Sequence, residues 1–166
     1  MAHPLLGIAE LALPITMSEH YIKLISKNPR FVPAADRLEK AKLRFTQFLP
    51  DAQEIQAFVS DEIKFVDQGE NFERVSCPKC GSELETLWWQ QAMEKSWESK
   101  FQQMEVITPC CQSGTTLNDL DYQFPAGFAR CQLSARDANQ KEISPDQKSE
   151  LEQILGTPLH QILVHY

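Results

Sequence analysis

The stretch Cys77-Pro78-Lys79-Cys80-Gly81 decides how the rest of the chain is read. Two cysteines separated by two residues can place both sulfurs on one ion. A glycine directly after the second lets the backbone take the positive φ that turns its amides toward those sulfurs. A tetrahedral zinc needs two further ligands, and Pro109-Cys110-Cys111 offers them, again after a proline. Adjacent cysteines point apart in an extended strand. The spacing therefore predicts a tight turn at the second pair, with Gly114 helping to make it. Cys77, Cys80, Cys110 and Cys111 are the candidate metal ligands, and zinc is the expected ion. The alternatives use one of Cys110 and Cys111 with a histidine or with Cys131; the plainest is two buried free thiols. Four thiolates leave no position for water or substrate, so the expected ion is structural. The filled site carries about −2 of charge, which nearby amides and Lys79 partly offset.

Between the two pairs, Trp89, Met93, Trp97 and Phe101 recur every four residues, with Leu84, Leu87 and Trp88 broadening the face. This predicts a helix over 83–103. Val106-Ile107-Thr108 reads as a short strand feeding the second pair. The span 74–116 is thus expected to be a zinc-ribbon excursion with an intervening helix, carried by a single α+β domain over 1–166.

Upstream, Ser18 can cap a helix through Tyr21, Ile22, Leu24 and Ile25, stopped by Asn28-Pro29. From Pro33, the residues Ala34, Leu38, Ala41, Phe45 and Phe48 mark the buried stripe of a second helix, with Arg37, Lys40 and Arg44 facing away. Ile55, Ala57 and Val59 then alternate, Ser60-Asp61-Glu62 can turn the chain, and Ile63 and Phe65 return, which reads as a hairpin. Gly69 permits another turn before Val75. Downstream, the stretch 128–136 alternates Ala129, Cys131, Leu133 and Ala135 against Arg130, Gln132, Ser134 and Arg136, a strand with one apolar side. Ser144-Pro145 starts a last helix through Leu151, Ile154 and Leu155, and Gly156 ends it. The stretch 159–166 is a final strand, apolar enough to be central. The expected fold is α+β, an antiparallel-rich sheet with helices packed on it and an embedded zinc ribbon.

Composition narrows the function. The chain has 166 residues, 42% of them apolar, enough for one sizeable core. Its net charge of −7 argues against a protein that lives on phosphate contacts. Residues 1–16 are apolar but broken by Pro4, Gly7, Glu10 and Pro14, which does not read as a secretory signal. An odd count of five cysteines with a C-x-x-C pair fits a reducing compartment, so the cytoplasm is expected, and no apolar run approaches a membrane span. A phosphate-binding loop, a nucleophile elbow and a zinc-protease helix motif are all absent.

Other residues carry weaker signals. Asp119 and Asp121 can bind a cation or act as acid and base, though such residues more often close turns, and with Trp88 and Trp89 they are the candidate partner-binding residues. Trp88 and Trp89 sit about 100° apart around a helix, which leaves one of them at the rim for a partner. Cys131 reads as a small core residue. His160 and His165 have opposite strand parity and are not expected to act as a pair.

The run from Cys77-Pro78-Lys79-Cys80-Gly81 through Trp88-Trp89 and Pro109-Cys110-Cys111 continues into Leu117-Asn118-Asp119-Leu120, Tyr122, Pro125, Gly127-Phe128-Ala129-Arg130 and the closing His165-Tyr166. This set resembles an uncharacterised family of small bacterial zinc-ribbon-containing proteins, over about Pro14 to the C-terminus. The resemblance implies a bacterial zinc-ribbon protein and no particular activity. In that pattern glycine follows the double cysteine, whereas here Gln112-Ser113 stand before Gly114.

Together these features predict a non-enzymatic, acidic protein-interaction module, such as an immunity protein or adaptor that binds a basic partner protein. A nucleic-acid-associated ribbon would need Arg130, Arg136, Lys141 and Lys79 on one face, and is disfavoured by net charge. A zinc enzyme would need an open coordination position.

Overall fold

The computed structural model describes residues 18–166. The reading of 1–16 lies outside the described residues. A four-stranded antiparallel sheet in the order β2-β7-β1-β8 forms the frame. It is built from β1 (His20–Ser26), β2 (Glu54–Val66), β7 (Gly127–Arg136) and β8 (Leu159–His165). Two helices, α1 (Ala35–Phe48) and α3 (Pro145–Leu155), pack with Ile22, Leu24, Leu133, Ala135 and Leu159 of the sheet into one core. The class is α+β, as the element pattern predicts.

The stripe on α1 is as expected from Leu38 to Phe48, whereas Ala34 caps the helix and is exposed. Ala41 and Phe45 are fully buried, with Leu38 and Phe48 packed at the margin. α3 begins with a reciprocal cap, in which Gln147 N–H donates to Ser144 Oγ and Ser144 N–H donates to the Gln147 side-chain oxygen. Pro145 occupies the first turn and Gly156 closes the helix with φ 82°.

Three local readings are corrected. The segment from His20 is a strand, not a helix, and lies between β7 and β8. The apolar positions Tyr21, Ile22, Leu24 and Ile25 also fall at helical spacing, and the buried Ile25 breaks the alternation that a half-buried strand would show. Ser60-Asp61-Glu62 is not a hairpin turn. β2 runs unbroken from Glu54 to Val66 along β7, and the register shifts between Val59 and Lys64. The apparent turn is a bulge, steadied by Glu62 N–H donating to Ser60 Oγ and Arg130 Nε donating to Ser60 O. β8 is an edge strand, not a central one. Leu159, Ile162 and Val164 are nonetheless buried, and the outer edge of the strand is met by the turn at Gly69. Glu70 N–H donates to His165 O at 2.7 Å and Asn71 Nδ2 donates to Leu163 O at 3.0 Å.

At the far end of β2 and β7 the chain builds a second assembly. It comprises β3 (Val75–Ser76) paired with β6 (Asp121–Tyr122), α2 (Thr86–Trp97), and β4 (Glu105–Ile107) paired with β5 (Gly114–Thr116). Ile63 of β2 and Phe128 of β7 join Leu84, Phe101, Met104, Leu117, Leu120 and Tyr122 in one buried cluster, which fixes this assembly to the sheet. α2 is shorter than the predicted 83–103. After Trp97 the chain turns, with Lys100 and Phe101 at φ 56° and 62°, and Ser96 Oγ donates to Gln103 O at 2.6 Å. The turn swings Phe101 inward until its ring meets Phe128 edge-on at 5.0 Å. Its neighbour Trp97 stays 44% exposed, so the four-residue spacing of the two does not reflect a shared buried face.

Candidate metal centre

The first knuckle follows β3. Cys77 N–H donates to Ser82 O at 2.8 Å and Gly81 N–H donates to Cys77 O at 2.9 Å, while Gly81 takes φ 78°. The second knuckle follows β4. Thr108 N–H donates to Ser113 O at 3.0 Å and Gln112 N–H donates to Thr108 O at 2.9 Å. The tight turn expected at the double cysteine is present. Gln112, at φ 57°, makes it, rather than Gly114, which already belongs to β5.

These two turns bring the sulfurs of Cys77, Cys80, Cys110 and Cys111 within 4.8 Å of one another. Cys77 and Cys111 Sγ are 3.8 Å apart, and Cys80 and Cys110 Sγ are 3.3 Å apart. Ligands about 2.3 Å from a tetrahedral ion are separated by about 3.8 Å. The cluster therefore has the dimensions of a four-sulfur metal site, and the four cysteines could hold a metal ion. Among the described residues it is the one group of His, Cys, Asp and Glu side chains gathered in this way. Cys131 stands apart from it, buried on β7, and burial pushes its thiol up to about 11.

Electrostatics divides the four sulfurs. The backbone N–H of Cys80, helped by Thr108 and the Lys79 N–H, holds the Cys77 thiol down to about 6 against the opposing effect of burial. The Ser82 hydroxyl and N–H lower Cys80. Loss of solvent around its sulfur, with Cys80 beside it, pushes Cys110 up to about 11. Neighbouring thiolates repel one another, so a set of four ionises completely only around a cation.

The other singled-out residues serve mostly to hold this assembly together. Trp89 lies between Phe72 and Phe65, and its Nε1 donates to Tyr122 Oη at 3.2 Å. Tyr122 in turn donates to Leu117 O at 2.9 Å. Trp88 is half-buried and faces a groove between α2 and the β4–β5 pair, alongside Ala92, Met104 and Val106. Asp119 bonds Thr116 through both its N–H and its carboxylate, a turn-closing role. Asp121 is exposed and lies opposite Ser76 in the β3–β6 pair. Arg130 donates to Ser60 O, whereas Arg136, about 20 Å along the same strand, pairs with Glu19. These two basic residues do not sit side by side. His165 stacks on His20 at 4.4 Å, not on His160.

Sequence reasoning missed Thr108. It is fully buried, and its Oγ1 lies 3.5 Å from Cys77 Sγ and 3.6 Å from Cys111 Sγ. The signal was Thr108-Pro109 before Cys110, which parallels Cys77-Pro78 in the first pair.

Among the described residues no helix is long and apolar enough to cross a membrane. Comparison of the chain with protein-family models, curated proteins and solved structures gives no match.

Proposed function

We propose that the protein is a non-enzymatic interaction module in which a structural zinc ion, held by Cys77, Cys80, Cys110 and Cys111, locks the ribbon onto the α+β frame. Its acidic surface receives a basic partner protein. The observation that carries this reading is the convergence of four sulfurs from two separate knuckles at tetrahedral spacing. A four-thiolate zinc has no open position, so its contribution is stability that a small excursion does not obtain from its own core. The resemblance of the motif set to bacterial zinc-ribbon proteins supports the choice of ion. The net charge of −7, made more negative by the filled site, favours a cationic partner and speeds its approach. An immunity protein that covers a basic toxin, or a cytoplasmic adaptor, fits that description. Trp88, at the rim of the α2 groove, and Asp121 are the contact residues proposed on this side.

The test uses metal-loaded protein as bait against the proteins of its host. The expected result is a specific basic partner whose association rate falls as salt is raised and whose capture is lost after chelation. Capture of acidic partners alone, or of nothing above background, contradicts the reading.

A further inference from the structure

The two knuckles are one structure used twice. Cys77-Pro78-Lys79-Cys80-Gly81-Ser82 and Thr108-Pro109-Cys110-Cys111-Gln112-Ser113 match position by position. In each, the N–H of the first residue donates to the carbonyl of the sixth, and the N–H of the fifth donates to the carbonyl of the first. In each the fifth residue has positive φ. In each the serine at the sixth position sets its hydroxyl beside the sulfur of the fourth, at 3.3 Å for Ser82 and Cys80 and 3.1 Å for Ser113 and Cys111. Burial follows the same register: Cys77 and Thr108 are buried, whereas Cys80 and Cys111 are exposed. Cys111 is therefore the counterpart of Cys80. The counterpart of Cys77 is Thr108, and Cys110 occupies the place that Lys79 holds in the first knuckle.

We propose that Thr108 stands at the vacated fourth ligand position as a positioning residue for the Cys77 and Cys111 sulfurs, and that Cys110 is a replacement ligand reaching the ion from outside the knuckle register. This rests on the metal-binding reading above. Threonine offers Oγ1 where cysteine offers Sγ, and a neutral hydroxyl is a poor partner for an ion already held by thiolates. Once the sulfurs are thiolates they only accept, so the Thr108 hydroxyl donates to them, as outer groups around metal sites commonly do. Its oxygen accepts from Ser113 N–H at 3.3 Å, and its one hydrogen has the Ser113 carbonyl at 3.4 Å and the two sulfurs at 3.5 and 3.6 Å as acceptors, of which charged thiolates are the stronger. Cysteine at position 108 would restore the symmetric pattern and make Cys110 dispensable.

The experiment replaces the native ion with Co²⁺, whose sulfur-to-metal charge-transfer absorption counts bound thiolates, and measures affinity by chelator competition. The unaltered protein shows four. Cys110→Ser shows three, with affinity reduced about tenfold or more. The double variant Thr108→Cys/Cys110→Ser returns to four thiolates and to at least the original affinity. Thr108→Cys alone keeps four and leaves Cys110 open to alkylation by N-ethylmaleimide with the metal bound. Thr108→Val keeps four thiolates but shifts the charge-transfer band. A double variant still showing three thiolates overturns the register assignment, as does Cys110→Ser still showing four. An unshifted band in Thr108→Val overturns the positioning role. If the unaltered protein takes up no Co²⁺, the metal-binding reading falls as well. If it takes up the ion and the double variant is not rescued, only the present inference falls.

Discussion

Gln112 holds in the second knuckle the left-handed backbone that Gly81 holds in the first, φ 57° against 78°. A residue with a Cβ in that conformation costs about 1–2 kcal/mol relative to glycine. Gln112→Gly is therefore expected to stabilise the metal-loaded protein by up to about 1 kcal/mol, since glycine gives part of the gain back in unfolded-chain entropy. Gly81→Ala is expected to do the reverse by about 1 kcal/mol, although open space surrounds the added Cβ. Chemical denaturation of both variants checks the sign. A destabilised Gln112→Gly contradicts the knuckle geometry.

In the proposed metal site four cysteines are ligands and Cys131 is not. Cys80→Ser should lower metal content and melting temperature together, and removal of metal from the unaltered protein should lower the melting temperature to a similar degree. Cys131→Ser places a hydroxyl at a buried site on β7, so it should cost about 1 kcal/mol of stability while metal content stays unchanged. Elemental analysis beside thermal melts separates the cases. Loss of metal in Cys131→Ser would make Cys131 a ligand.

How much of this was legible in the sequence depends on whether a residue acts through local or distant contacts. α1 was readable from its periodicity, and α3 from its capping serine and closing glycine, all of them local signals. The four ligand candidates were readable because cysteine spacing near prolines is also local. β1 was misread because the buried Ile25 interrupts its alternation, and its pairing with β7 and β8 is a long-range fact. The bulge at Ser60 depends on Arg130, 70 residues away. The role of Thr108 becomes visible only when the hydrogen bonds of the two knuckles are compared.

Trp89 is expected to act through the fold. Trp89→Phe keeps the stack on Phe72 but removes the N–H that donates to Tyr122 Oη, at a cost of about 1 kcal/mol. Leu87→Ala, on the same helix but 61% exposed, should change stability by less than about 0.5 kcal/mol. Equal losses in the two variants, by urea denaturation, would contradict the packing described.

His160 links stability to pH. Burial, with Lys27 and Lys148 nearby and Asp119 opposing them, holds its pKa below the ordinary histidine value. The unfolded chain therefore takes up this proton more readily than the folded one. The contribution is fully present above about pH 6.5 and is lost as the pH falls through the lower folded value. His160→Gln should flatten the decline in stability on the acid side of pH 6.5. An unchanged slope in that variant contradicts the assignment.

X-ray absorption at the K-edge of the bound metal, in protein purified without added chelator, reaches the heart of the proposal. Four sulfur neighbours at about 2.3 Å and no oxygen or nitrogen are expected, with one zinc ion per chain. A first shell containing a light atom, or protein that carries no stoichiometric metal, would contradict a closed structural site.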